Sequence, residues 1–373
     1  STSMKILYII TKSTIGGAQT HISQLSSSLL SEGENVAVSA HPGGWLEKDI
    51  KNKNGKFYPN KHLRNSYNPI TLLKAIKTAQ DAIKDFQPDI ISTHSSFAGL
   101  VGRLAARNSN AQVLFTAHGW GFSKGTPFLR KKVIKISEKL AARYTDKIIC
   151  VSNFDKKLAR KNGIAEKKKL TTIHNGTEIP DINHDQFPIK DKIKIVSVTR
   201  FSKQKDPILL LKSLDALPEK LKDKLELTLI GAGPKEDEVK QYVQNSSIKD
   251  KIKLTGDISR EKVFQYLKKS HIFTLITKWE GFPRSILEAM SCGLPVIATN
   301  TAGIPESVTR DCGILVEKGS KEDVKNAFQE LLSNPKKIEQ KGKNARKRCK
   351  NKFSIEKTIR ETKEIYKNLL KNK

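Results

Sequence analysis

The chain has 373 residues, 37% of them apolar, and a formal charge of +30 from 68 basic and 38 acidic side chains. That length exceeds one ordinary core and suits two domains of under about 200 residues each, while apolar residues gathered in short blocks argue against disorder. No stretch reaches the roughly 20 consecutive apolar residues of a membrane span. Four scattered cysteines without a CxxC pair (Cys150, Cys292, Cys312, Cys349) fit thiols in a reducing compartment better than a disulfide frame or zinc site.

Ser1, Thr2 and Ser3 precede Met4 and are set aside. KILYII (5–10) then reads as a strand rather than a signal peptide, followed by a helix from about Gly17 to Ser31 and the strand NVAVSA (35–40). After a variable stretch come a helix from Pro69 to Asp85, a strand at 89–93, a small-residue helix over 97–107, QVLFTA (112–117), a basic helix over 127–144, and KIICV (147–151). Continuous apolar strands between amphipathic helices are the pattern of a parallel sheet covered on both faces. Residues 175–191, with two prolines and little periodicity, read as a linker. The rhythm then restarts with strands at 194–198, 225–231, 252–256, 271–276 and 295–299, helices between them, and a basic helix from Ser354 to the end.

The expected fold is α/β, with two Rossmann-like doubly wound domains facing a central cleft. The first spans 4–180 and the second 190–353, and a helix over 354–373 packs back toward the first. In such sheets ligands sit at the carboxyl ends of the strands.

Three places there carry the chemistry. Gly16 and Gly17 follow the first strand, where glycines let backbone approach a ligand and the next helix aims its free N–H groups at an anion; a purely structural tight turn reads equally well. Arg200 and Lys205 follow the strand at 194–198, and two cations there can neutralise a phosphate pair; a charged surface loop is the alternative. The third runs from Trp279 to Val296. Gly281 permits a bend, Pro283 suits a helix start, and the amides after it face an anion. Glu288, about a turn inside that helix, can accept hydrogen bonds from a vicinal diol, and Glu280 can do so for a second sugar. Paired carboxylates around an anion-binding helix start are costly unless polyol donors satisfy them. A nucleotide sugar meets that demand.

The third cluster resembles the donor-binding signature of the retaining glycosyltransferases of family 4, of bacterial surface-polysaccharide type, which have the GT-B fold. The signature is a Glu, seven residues, a second Glu, and a small-residue stretch ending in Gly-x-Pro-Val. Further landmarks fall in order: Gly16-Gly17, His118-Gly119, Val-Ser-Asn (151–153), Asn175-Gly176, Arg200 with Lys205, and Gly303-x-Pro305-Glu306. The resemblance covers essentially the whole chain. It implies that Arg200 and Lys205 hold the donor diphosphate, that Glu288 binds the ribose hydroxyls, that Glu280 contacts the transferred sugar, and that Gly281, Phe282 and Pro283 belong to the substrate-binding set. The resemblance further implies that His118 sits beside the reacting sugar and that Gly16 lets acceptor and donor phosphate approach. A histidine after a strand is commonly a core residue, but His118 ends a strand on its ligand-binding side. His94, at the end of the preceding strand, reads as structural. Arg284 stands where the family often has a small or amide residue, narrowing sugar choice or adding a phosphate contact. The stretch 44–68, where acceptor contacts are expected, carries no recognisable signature.

The resemblance implies transfer of a hexose or N-acetylhexosamine from a nucleotide sugar, with UDP the usual donor base, with retention and by front-face attack. The base is expected near Gly256–Ile258. No Asp-x-Asp motif appears; Glu236, Asp237 and Glu238 read as a helix start, so no metal and no cofactor is expected. The expected acceptor is a polyprenyl-diphosphate-linked sugar in capsule, O-antigen or other surface-glycan assembly. The basic helix over 129–144 carries Leu129, Val133, Ile136 and Leu140 as a stripe, which fits a cytoplasmic enzyme peripheral on an anionic membrane; a packed helix with a solvated face fits it nearly as well. A nucleotide-sugar epimerase of the same architecture stays open. Nucleic-acid binding rests on charge alone, with no supporting motif, so nucleic acid is not an expected partner.

Overall fold

The computed structural model describes residues 3–66, 68–123 and 125–372. The chain forms two compact units, one running to His174 and resuming at Thr358, the other spanning Asn175–Lys357.

In the first unit, the described strands are β1 (Lys5–Ile10), β2 (Asn35–Ala40), β3 (Lys56–Pro59), β4 (Ile90–His94), β5 (Gln112–Ala117), β6 (Lys147–Cys150) and β7 (Leu170–Thr172). They pair in parallel in the order β3-β2-β1-β4-β5-β6-β7. The period of two along β1 explains why both faces need cover. Ile6, Tyr8 and Ile10 pack with Ile22, Leu25 and Leu29 of the helix Gly17–Ser31. Leu7 and Ile9 pack on the opposite face with Ala75, Ala79 and Val101. Each buried Ile, Leu or Val among them stabilises the unit by about 1.5–3 kcal/mol. The last helix, Ile355–Lys371, buries Tyr366 in the first of these cores, and the Tyr366 hydroxyl lies 3.1 Å from that of Tyr8.

The second unit contains β8 (Ile193–Val198), β9 (Leu225–Ile230), β10 (Ile252–Leu254), β11 (Ile272–Leu275), β12 (Val296–Thr299) and β13 (Gly313–Val316), parallel in the order β10-β9-β8-β11-β12-β13. In each sheet the chain runs outward in one direction and then restarts on the other side, so the order reverses between β1 and β4 and between β8 and β11. Loops leaving the carboxyl ends of strands at such a reversal diverge and leave a crevice.

The stretch read as a linker belongs to the second unit. Thr177 bridges to Ser354, Phe187 and Ile189 pack on the main core, and the Gln186 carbonyl meets Nε2 of His271 at 3.0 Å. Irregular backbone hides such packing from periodicity, so this unit starts at Asn175 rather than 190. Short elements also escaped the pattern, among them the helix Trp45–Asn52, β3, β7 and β13. The helix Asn153–Lys161 is polar along much of its length, but Ser152 caps it by accepting from the Asp155 N–H at 3.0 Å.

The basic helix Phe128–Ala142 faces inward through Ile134, Glu138, Ala141 and Ala142. Glu138 pairs at 2.7 Å with Arg103, both essentially buried, and Arg103 also lies over the Phe115 ring and donates to the Gly99 carbonyl. The other stripe is exposed: Leu129 by 76%, Val133 and Ile136 by 59%, Leu140 by 43%. Truncating one partner of a buried pair strands the other charge, so Glu138→Ala should cost about 3–5 kcal/mol. The double change Arg103→Met with Glu138→Leu should recover most of that. Urea unfolding of the three proteins checks this; a single variant as stable as wild type would contradict it.

Candidate active site

In the second unit, Arg200 and Lys205 leave the end of β8 while Glu280 leaves the end of β11, the neighbouring strand across the reversal. Adjacency follows from sheet order, not from closeness in sequence. The two loops are fastened by a bridge between Lys205 and Thr277, and the Lys278 N–H donates to the Gln204 carbonyl at 2.8 Å. Lys205 Nζ contacts Glu280 Oε1 directly, and the Thr277 hydroxyl donates to the same oxygen at 3.1 Å. Asp206 then caps the helix Pro207–Asp215 through the Leu209 N–H. The loop is thus held at both ends.

Arg200 is exposed and makes no ion pair among the described residues. It lines a cavity of about 430 Å³ with Val198, Thr199, the Ile230–Gly233 turn, Asp257, Ile258 and Val263. Gly231 makes this turn possible. Its φ is +136°, and a Cβ there would stand 1.8 Å from the Thr199 carbonyl oxygen. Its N–H donates to the Gly256 carbonyl at 3.0 Å, which ties the stretch at 256–258 to the cavity wall. Larger cavities, of about 690, 720 and 590 Å³, lie away from these residues, around Lys190–Lys194, around Lys337–Lys341 and, in the first unit, around Lys84–Asp89.

Pro283 precedes the helix Arg284–Ser291, which carries Glu288 one turn in. Glu288 lies 3.5 Å from the Arg260 guanidinium. Burial raises the Glu288 carboxyl above its ordinary value, with Arg260 and Arg284 pulling the other way. Burial in turn pushes the Arg284 guanidinium down to about 10, still charged at neutral pH. Arg284 donates to Asn175 Oδ1 at 3.3 Å, and Asn175 Nδ2 donates to the Phe282 carbonyl at 3.1 Å. Arg284 therefore acts as counter-charge and anchor for this turn, beyond the specificity or phosphate role expected of it. Phe282 commits its ring to the interior against Phe353, leaving only its backbone to face a ligand. The Gly281 carbonyl accepts from the Gly303 N–H at 3.0 Å, which joins two of the sequence landmarks.

Arg260 is marked only weakly by the sequence. It opens the helix Arg260–Lys269, whose cap is Ser259. The only hint is its position just beyond 256–258.

In the first unit, Gly16 caps the helix Gly17–Ser31 in extended backbone. The preceding loop is packed by Gly44, where a Cβ would stand 2.3 Å from the Ser13 hydroxyl. His118 follows β5 half-buried, and its Nε2 meets Nδ1 of His94 at 3.0 Å. His94, read as purely structural, thus touches a candidate catalytic side chain.

Among the described residues no group of three or more His, Cys, Asp or Glu could hold a metal ion, and no helix is long and apolar enough to cross a membrane. All four cysteines are buried and free.

Residues 15–179 match the model described as glycosyltransferase family 4, and residues 180–348 that of glycosyl transferases group 1. The chain is 30% identical over 318 residues to the Escherichia coli UDP-Gal:alpha-D-GlcNAc-diphosphoundecaprenol alpha-1,3-galactosyltransferase, covering 81% of each. It is 28% identical over 312 residues to the Escherichia coli O-antigen biosynthesis glycosyltransferase WbnH, covering 83% of this chain and 85% of that protein. The crystal structure of a glycosyltransferase from Rickettsia africae superposes with a TM-score of 0.82 at 23% identity over all of both chains.

Because Arg260 lowers the Glu288 carboxyl pKa against burial, Arg260→Ala should move it further up. Carboxyl-detected NMR titration reads this directly. An unmoved or lower titration midpoint in the variant would show that the guanidinium does not act on Glu288.

Proposed function

This chain belongs to glycosyltransferase family 4 and is a glycosyltransferase of GT-B type, and from that premise we propose that it moves a hexose or N-acetylhexosamine from a UDP-sugar to a lipid-linked saccharide, with retention. The observation that carries this reading is the exposed Arg200 lining the 430 Å³ cavity, on the loop after β8 that also carries Lys205, which pairs with Glu280 across the strand-order reversal. A guanidinium fork suits the diphosphate, the wall at Asp257–Ile258 suits the base, and Glu288 suits ribose hydroxyls. His118 is assigned to the reacting sugar on the family resemblance. The names of the two Escherichia coli relatives support a UDP-sugar donor, a lipid-linked acceptor, and surface-glycan assembly as the setting.

In the proposed step, the bond between the sugar C1 and the diphosphate oxygen breaks while the acceptor hydroxyl oxygen bonds to C1 on the same face. The hydroxyl proton passes to the departing phosphate oxygen. Arg200 and Lys205 stabilise the charge growing on that diphosphate, assisted by the first amides of the helix Arg284–Ser291. Metal and cofactor have no part in this proposal.

Arg200→Ala should cost about 2–4 kcal/mol of transition-state stabilisation, read as kcat across a panel of nucleotide sugars, with product mass and anomeric configuration determined. Unimpaired turnover would contradict the assignment, and a β-linked product would contradict retention.

The acceptor also explains the exposed stripe on the helix Phe128–Ala142. We place it on the anionic inner face of the plasma membrane, with Leu129, Val133, Ile136 and Leu140 entering the interface and Arg130, Lys131, Lys132, Lys135 and Lys139 meeting headgroups. The anion served by the basic surface is then lipid rather than nucleic acid. Cosedimentation with vesicles should be strong for anionic lipid, weaken with salt, and fall in a Val133→Glu, Ile136→Glu double variant. Absence of salt-sensitive binding would count against a membrane role.

A further inference from the structure

We propose that His94 is a positioning residue that fixes the ring orientation and the tautomer of His118. This rests on the role proposed above for His118 at the reacting sugar.

His94 is the last residue of β4, next to β5 in the sheet, and is only 1% exposed. Both its ring nitrogens are engaged. Nε2 lies 3.0 Å from the Ser92 hydroxyl, and Nδ1 lies 3.0 Å from Nε2 of His118. The two imidazoles are near-parallel, at 27°, with centroids 5.3 Å apart.

The groups facing His94 come from three further elements. Tyr8 on β1 and His21 on the helix Gly17–Ser31 stand with ring centroids at 5.9 and 6.1 Å, and His118 follows β5. Tyr366 reaches the far side through its hydrogen bond with Ser92. Burial holds the His94 imidazole neutral, well below its usual range, and the charges His118 and His21 would carry push it the same way.

A neutral imidazole offers one donor and one acceptor. One proton therefore lies between the two facing nitrogens, and its side is tied to what Ser92 does on the other edge. If His94 donates to Ser92, its Nδ1 accepts from His118 Nε2–H, and His118 presents Nδ1 as an acceptor. If Ser92 donates to His94, the order inverts, and His118 presents Nδ1–H. In either state a neutral His118 ring is held in one tautomer by its contact with His94.

Long-range 1H–15N correlation spectra of the full chain test this. In the wild type the two His118 nitrogens should resonate far apart, as in one tautomer. His94→Leu should bring them toward a common averaged value. It should also lower kcat by about 10- to 100-fold, the scale seen when an outer partner orienting a metal-bound imidazole is lost, with donor KM little changed. His94→Asn places an amide near the position of Nδ1 and should restore both signals, whereas His94→Gln reaches only toward Ser92 and should not. If His94→Leu fails to fold, the Asn and Gln variants still decide. Equal behaviour of those two, or an unchanged His118 pattern in His94→Leu, would overturn the proposal. A fully active His118→Ala would instead remove the role given to His118, with the tautomer coupling to His94 still readable.

Discussion

The reversal of strand order between β8 and β11 organises the second unit. A parallel sheet sends every strand's carboxyl end to the same edge, and loops at a reversal part instead of covering one another. Lys205 from one strand's loop therefore meets Glu280 from the next, although some seventy-five residues separate them, and Arg200 leaves the same strand end as Lys205. The arrangement needs little extra material. Thr277 ties the loops together, and Gly231 lets a neighbouring turn close against Thr199. The first unit repeats the scheme between β1 and β4, where the Gly16 loop and the His94–His118 pair share the same edge.

Charge is distributed around this edge in a graded way. Arg200 is exposed at the cavity, whereas Lys205 and Arg284 already have acidic company in Glu280 and Glu288. Partnered cations cost less to hold in a half-buried site than isolated ones. The exposed guanidinium is the natural first contact for a doubly charged ligand. The carboxylates are held by counter-charges with oxygen lone pairs to spare for hydroxyls. An enzyme handling a nucleotide sugar needs that division of labour.

Much of this is legible in the sequence. Continuous apolar strands announce two parallel sheets, and glycine, cation and carboxylate positions at strand ends mark the edge that matters. What stays hidden has physical reasons. The stretch over 175–191 packs through Phe187, Ile189 and backbone groups, which leave no periodic trace. Arg260 reaches Glu288 from another helix, a contact set by tertiary packing alone. His94 looks like any histidine ending a strand, and only the pairing of β4 with β5 shows that its ring meets His118. The stripe on the helix Phe128–Ala142 is visible as a pattern, but whether it faces the core depends on which side Glu138 and Arg103 pin inward.

The position of bound UDP tests the central claim most directly. A structure of the protein soaked with UDP should show the diphosphate within hydrogen-bond reach of Arg200 at the end of β8, with the base against Asp257 and Ile258. Density for the nucleotide in the larger cavity beside Lys190, Lys192 and His271, or in the one beside Lys337 and Lys341, would contradict it.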